Sequence, residues 1–187
     1  MAKKIIITVL SILLFAGVVV GGHFGYKKLS EKNPPDAGTL GTKQKGDYKD
    51  FTVTDANGKE IKLSDFIGKP IVINFWASWC GPCRSELPAF DKVAKENEGQ
   101  VHFLMVNLLS RETETKVKEF VQKENYSFPL YFDNTGTAAN TYNVSSIPVT
   151  VFIDAQGKVR KSQVGAMSEI VLKSYVAELL KQGEQKK

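Results

Sequence analysis

The sequence predicts an α/β fold, a mixed central sheet with helices on both faces, and three observations predict it. Pro70–Trp76 (P-I-V-I-N-F-W) is a continuous apolar run with β-branched residues, the pattern of a buried strand, and Val101–Val106 is another continuous apolar strand. Between and beyond them, Leu87, Phe90 and Ala94, then Val117, Phe120 and Val121, recur at helical spacing. Two hairpin signals frame this alternation, Asp55-Ala56-Asn57-Gly58-Lys59 and Asp154-Ala155-Gln156-Gly157. Strands alternating with helices between two hairpins require a sheet covered on both sides.

In chain order, Asp50–Thr54 and Glu60–Leu63 are expected to pair across the Asn-Gly turn, and Ser64-Asp65-Phe66 to start a short helical turn. The buried strand Pro70–Trp76 leads into a helix over Arg84–Asn97, which Pro88 should bend because it removes a backbone donor. After the strand Val101–Val106 comes an amphipathic helix over Glu112–Asn125 with a charged outer face. Phe128–Phe132 reads as a short strand and Thr135–Tyr142 as a short helix. Val149–Ile153 and Lys158–Val164 form the second hairpin, and Ser168–Lys181 closes the chain with a helix bearing Ile170, Val171, Val176, Leu179 and Leu180 on its apolar face. No internal repeat is present.

The chemistry sits at the first strand-to-helix junction, Trp79-Cys80-Gly81-Pro82-Cys83, which holds the only two cysteines of the chain. Cys80 falls near a helix N-terminus, where unpaired N–H groups and the macrodipole favour a thiolate. A thiolate is the attacking species in disulfide exchange, and a second thiol two residues on can resolve the mixed disulfide. The competing reading is half of a zinc site. A structural zinc takes about four protein ligands, and only His23 and His102 are available beside the two cysteines, His102 inside an apolar strand. No metal and no cofactor beyond a redox-active Cys80–Cys83 disulfide is therefore expected.

The net charge of +5 is unevenly placed. Residues 1–46 hold seven lysines against Glu31 and Asp36, and the remainder holds 18 basic and 18 acidic residues. The folded part is neutral, so no nucleic-acid partner is expected. Ile5–Tyr26 contains no Lys, Arg, Asp or Glu, and a helix of about 22 residues reaches roughly 33 Å, enough to cross a bilayer. An uncleaved signal-anchor and a cleaved signal peptide both fit such a run. Ala16–Gly25 lacks a good Ala-x-Ala-like site, which favours the anchor, and no cysteine follows to carry a lipid. Lys3 and Lys4 precede the run and Lys27 and Lys28 follow it, so basic flanks alone do not orient it. A short N-terminal tail ordinarily stays cytoplasmic, leaving the folded domain outside. The expected organisation is a membrane anchor at 1–28 (membrane contact through 5–26), a Pro/Gly/Lys-rich flexible linker at 29–46 and a folded domain at 47–187.

Phe75 to Pro88 (F-W-A-S-W-C-G-P-C-R-S-E-L-P), the hairpin before it and Asn143 to Asp154 (N-V-S-S-I-P-V-T-V-F-I-D) resemble the thioredoxin superfamily, specifically its membrane-anchored TlpA/ResA-type branch. The resemblance implies a thioredoxin-like fold with an N-terminal hairpin and a central βα insertion, preceded by a transmembrane helix. It makes Cys80 the nucleophile and Cys83 the buried resolving thiol, supported by Trp79, Gly81 and Pro82. It places a cis bond at Ile147–Pro148, which packs against the pair and leaves the Ile147 backbone free to add a substrate strand. Glu86 matches a carboxylate of that branch and is either a proton relay to Cys83 or a glutamate complementing the helix dipole. Two departures stand out. Asn74 replaces the buried Asp of thioredoxins proper, so any relay falls to Glu86 or water. Val149 replaces a Thr, which removes a hydroxyl from a possible substrate contact.

The protein expected from this reading is an extracytoplasmic thiol-disulfide oxidoreductase, a single-pass monomer of the bacterial cell membrane, working as a reductase. The resemblance implies disulfide-containing client proteins, apocytochrome c among them, and recharging by an integral-membrane thiol donor of the CcdA/DsbD type. A disulfide-forming oxidase and a redox-inert peptide or haem chaperone module are the rival readings.

Overall fold

The computed structural model describes residues 46–184, with side chains through 182; the candidate anchor and nearly all of the candidate linker lie outside the described residues. The strands are β1 (Gly46–Asp47), β2 (Thr52–Asp55), β3 (Glu60–Lys62), β4 (Ile71–Trp76), β5 (His102–Asn107), β6 (Leu130–Phe132), β7 (Val149–Ile153) and β8 (Lys158–Val164). The α-helices are α1 (Gly81–Glu96), α2 (Glu114–Lys123), α3 (Thr137–Thr141) and α4 (Glu169–Glu184), with a 3₁₀ turn at Leu63–Phe66. One sheet runs in the order β1-β8-β7-β4-β5-β6-β2-β3. It is mixed: β4, β5 and β6 are parallel, while β7 runs antiparallel to β4 and β2 antiparallel to β6.

The central strand explains the layers. Every residue of β4 is buried, and successive side chains of a strand point to opposite faces. Val72 and Trp76 join the apolar cluster built with Leu87, Phe90 and Val93 of α1, Val117 of α2 and Leu172 and Val176 of α4. Ile71, Ile73 and Phe75 join the other cluster, with Phe51, Leu63 and Ala138. Asn74 is the polar exception among the inward residues of β4, and it shares the α1 face with Val72 and Trp76. In the first hairpin, Gly58 takes φ 83°, the left-handed conformation the Asn-Gly signal predicts, and Asp55 Oδ1 accepts the N–H groups of Asn57 and Lys59.

Three elements differ from the sequence expectation. Gly46 and Asp47 pair with Val159 and Lys158 as a two-residue edge strand too short to carry any periodicity. Helix α1 begins at Gly81, before the first apolar position, because Cys80 caps it, and it continues through Pro88. Helix α2 begins at Glu114, because the Thr113 side chain accepts the Lys116 N–H and ends the preceding loop there. Glu112 thus lies outside the helix in which its sequence pattern placed it.

Asp91 locks the far end of α1 to the sheet. Its Oδ1 accepts the backbone N–H groups of Ser127 at 2.6 Å and Phe128 at 3.1 Å, and its Oδ2 meets Lys95 Nζ at 2.6 Å. Asp91→Ala orphans two backbone donors at the entry to β6, one of them buried. A loss of about 2–3 kcal/mol in urea unfolding is expected, with exchange activity per folded molecule unchanged.

Candidate active site

The cysteine pair stands where β4 hands over to α1. Cys80 is the N-cap residue of α1, with extended backbone (φ −82°, ψ 110°), and its Sγ accepts the Cys83 N–H at 3.2 Å. That donor is one of the unpaired amides at a helix start, so a thiolate at Cys80 finds both a hydrogen bond and the positive end of the macrodipole. Pro82 occupies the first turn, where a missing N–H costs nothing. Gly81 and Pro82 are both exposed. The two sulfurs are joined as a disulfide, with Cα atoms 5.3 Å apart.

The pair is asymmetric. Cys83 is fully buried, while Cys80 keeps 6% of its surface exposed and opens onto a groove of about 500 Å³. Trp79, Pro82, Leu108, Ser146 and Ile147 are among the residues that line the groove. Trp79 stands 46% exposed at the rim, with the Arg111 guanidinium 5.3 Å from its ring centroid. The Ile147–Pro148 bond is cis, and the Ile147 carbonyl oxygen lies 3.7 Å from Cys80 Sγ. A reduced Cys80 can donate its S–H to that oxygen.

Of the two residues expected to hold substrate, Ile147 lines the groove and Val149 does not. Val149 is buried, paired with Phe75 on one side and Val164 on the other, and its side chain belongs to the apolar cluster of Ile73 and Phe75. The change from Thr to Val is therefore a change on the core side of β7, and the Val149 side chain is not among those that line the groove.

Beneath the pair lies a polar cluster that the sequence indicated only in part. Glu86 is 1% exposed and sits one turn after Cys83 on the buried face of α1. It lies beyond the first turn, so complementing the helix dipole does not account for it. Its Oε1 accepts Asn74 Nδ2–H at 2.8 Å and its Oε2 accepts the Met167 N–H at 2.9 Å. Burial pushes its carboxyl up to about 7, and the hydrogen bonds from Met167 and Asn74 only partly offset that rise. Asn74 Nδ2 also donates to Thr150 Oγ1 at 3.0 Å, while Asn74 Oδ1 is buried without a partner among the described residues. Thus Asn74, read from sequence as the loss of a buried Asp, donates a hydrogen bond to the Glu86 carboxylate and orients it. Thr150 and the Met167 amide were missed. The one available signal was Thr150 as the lone polar residue in the run V-T-V-F-I.

Among the described residues, no group of three or more His, Cys, Asp or Glu is placed to hold a metal ion. What the site can do is exchange. One sulfur is reachable and lies at a helix N-terminus, which favours its thiolate once the pair is reduced, a second is buried behind it, and a titratable carboxyl lies a turn further on.

Comparison with known proteins agrees with this chemistry. Residues 45–162 match the AhpC/TSA family. The chain belongs to that family. It is 35% identical over 149 residues to the thiol-disulfide oxidoreductase ResA of Bacillus subtilis (strain 168), covering 79% of this chain and 82% of that protein. It is 37% identical over 121 residues to the thioredoxin-like protein YneN of the same organism, covering 64% and 71%. Among solved structures, a secreted Mycobacterium tuberculosis disulfide oxidoreductase, described as homologous to E. coli DsbE, superposes with a TM-score of 0.62 at 33% identity, over 69% of this chain and 96% of that one. The fold is thioredoxin-like, and the family member described here is a thiol-disulfide oxidoreductase.

Proposed function

We propose that the protein is a membrane-tethered, extracytoplasmic disulfide reductase of client proteins. The observation that carries the reading is the asymmetry of the pair, one sulfur open to a peptide-sized groove and its partner fully buried. In the forward cycle the Cys80 thiolate attacks one sulfur of a client disulfide, forming a mixed disulfide and releasing the client's other sulfur as a thiolate. Cys83, deprotonated, then attacks Cys80 Sγ, releases the second client thiolate and leaves the Cys80–Cys83 disulfide seen here. Two electrons pass to the client, whose thiolates take up two protons. Trp79 and the cis-proline loop bound the groove, and the Ile147 backbone offers an edge for an extended client segment.

The direction rests on Gly81-Pro82, the dipeptide of reducing thioredoxins, whose potential lies near −270 mV against about −120 mV for the oxidant DsbA. The tether rests on the uncharged run Ile5–Tyr26 and the Pro/Gly/Lys-rich segment after it. An external location suits disulfide chemistry, because thiols inside the cell are kept reduced. Such a protein acts as a monomer and needs an electron source across the membrane. An integral-membrane thiol carrier of the CcdA/DsbD type fits that need, and apocytochrome c is a fitting client.

The test is capture. Cys83→Ala lacks the resolving sulfur and is expected to accumulate client proteins as mixed disulfides through Cys80, visible on non-reducing gels and lost in the Cys80→Ser/Cys83→Ala double variant. Alkylation of intact cells should find the wild-type pair mostly dithiol. A mostly oxidised resting pair would sink the reductase direction and favour an oxidase.

A further inference from the structure

The turn that carries Cys80 is fastened from outside its own strand and helix. Asn107 ends β5 fully buried, with both ends of its amide engaged: Oδ1 accepts the Leu109 N–H at 2.9 Å, and Nδ2 donates to Glu112 Oε1 at 2.8 Å. Leu109 takes φ 50°, a left-handed conformation that non-glycine residues rarely adopt. The backbone is thus bent around the Asn107 side chain, and the bend returns Glu112 to the end of β4. There Glu112 Oε1 also accepts the Ser78 backbone N–H at 2.9 Å, and Oε2 accepts the Ser78 hydroxyl. Three donors, two from Ser78 after β4 and one from Asn107 at the end of β5, converge on one carboxylate. The residues that follow Ser78 are Trp79 and Cys80, and the residue before Glu112 is Arg111, stacked on Trp79. Leu108 and Ser110 of the same loop line the groove beside Cys80. Neither the helix nor the sheet requires these contacts, since α2 is already capped by Thr113.

We propose that Glu112 is a positioning residue for disulfide exchange: its carboxylate holds the Ser78–Cys80 turn so that the Cys80 sulfur stays over the first turn of α1 and beside the Ile147 carbonyl. The proposal rests on the exchange activity of the Cys80–Cys83 pair. Releasing the turn lets the sulfur drift from the helix N-terminus, so the thiolate loses stabilisation and attack slows. A carboxylate acting only as a nearby charge has the opposite effect, because removing a negative charge eases thiolate formation. The two roles therefore differ in sign.

The experiment uses the full-length protein, reduced, as wild type, Glu112→Ala and Glu112→Gln. It reads the pH midpoint of Cys80 alkylation by iodoacetamide and the rate of attack on dithiobis(nitrobenzoate), a small aromatic disulfide. Glu112→Ala is expected to raise the alkylation midpoint and to slow attack by about ten- to a hundredfold. Glu112→Gln, which keeps an oxygen acceptor for the Ser78 N–H, is expected to recover most of the rate. Unchanged midpoints and rates in both variants overturn the proposal, and so does an equal downward shift in both. If Glu112→Ala does not fold, Ser78→Ala decides. It deletes only the hydroxyl contact, and an unchanged midpoint and rate there overturn the proposal. Wild-type protein that fails to attack the reagent at all instead overturns the exchange reading itself.

Discussion

Cys80→Ser is expected to lower disulfide exchange by about a thousandfold or more, because a serine hydroxyl is neither an anion near neutral pH nor able to form the mixed disulfide. The geometry makes this loss specific to one sulfur. Cys80 is the thiol that opens onto the groove, and it accepts the Cys83 N–H at the start of α1. Cys83 is fully buried and cannot meet a client sulfur first. Cys83→Ala should therefore keep the first attack and give a single stoichiometric burst of released thiol, whereas Cys80→Ser gives none. The measurement is thiol release from a cystine-containing peptide under single-turnover conditions. Stability has to be matched in the comparison. The disulfide closes a loop of sequence separation 3, for which chain entropy allows about 2 kcal/mol, so the proper reference is reduced wild-type protein. A burst of normal size from Cys80→Ser would show that Cys83 reaches clients unaided, and the assigned roles would fall.

The parts of the molecule that sequence made legible are those fixed by local chemistry. An apolar run interrupted only by Asn74 gave β4, the helical spacing of Leu87, Phe90 and Ala94 gave the body of α1 though not its first turn, and Asn57-Gly58 gave a turn with Gly58 at positive φ. The residues that complete the site are joined by long-range contacts and were not legible. Glu112 reaches Ser78 across 34 positions, Thr150 reaches Asn74 across 76, and the Met167 amide reaches Glu86 across 81. Each depends on strand order and register, which juxtapose β7 with β4 and bring the loop after β5 beside the loop after β4. Glu112 was the most misleading of them. Followed by a charged amphipathic stretch, it reads as the first turn of a helix, and only the cap at Thr113 frees it. Val149 shows the same limit, since its place beside Pro148 suggested a position in the groove, whereas its side chain joins the apolar cluster of Ile73 and Phe75.

Glu86→Gln is expected to change both the pH dependence of stability and the second step of exchange. The Glu86 carboxyl is raised from 4.5 to about 7, chiefly by burial. Below about pH 4.5 it is protonated in the folded and unfolded chain alike, and the stability linked to it is fully present. As pH rises towards 7, the folded chain binds more protons at this site than the unfolded chain, so stability falls; above 7 the buried carboxylate carries its full cost. At 1.36 kcal/mol per unit, the decline across that window is about 3 kcal/mol. Glutamine removes the titration, and its amide can donate to Asn74 Oδ1, the buried acceptor now without a partner among the described residues. Urea midpoints of the wild type should fall between pH 5 and pH 8 by more than those of Glu86→Gln. The kinetic consequence follows from the same carboxyl. Cys83 must lose its proton before attacking Cys80 Sγ, in a fully buried position. A base titrating near the working pH, one turn away on the same buried face, is suited to take it, and general-base contributions are about a hundredfold or more. Glu86→Gln should therefore leave the first attack close to wild type and slow resolution, so that mixed disulfide accumulates with the natural Cys83 still present. If stability keeps its slope and resolution keeps its rate, Glu86 is an inert buried acid and the proton on Cys83 leaves by another route.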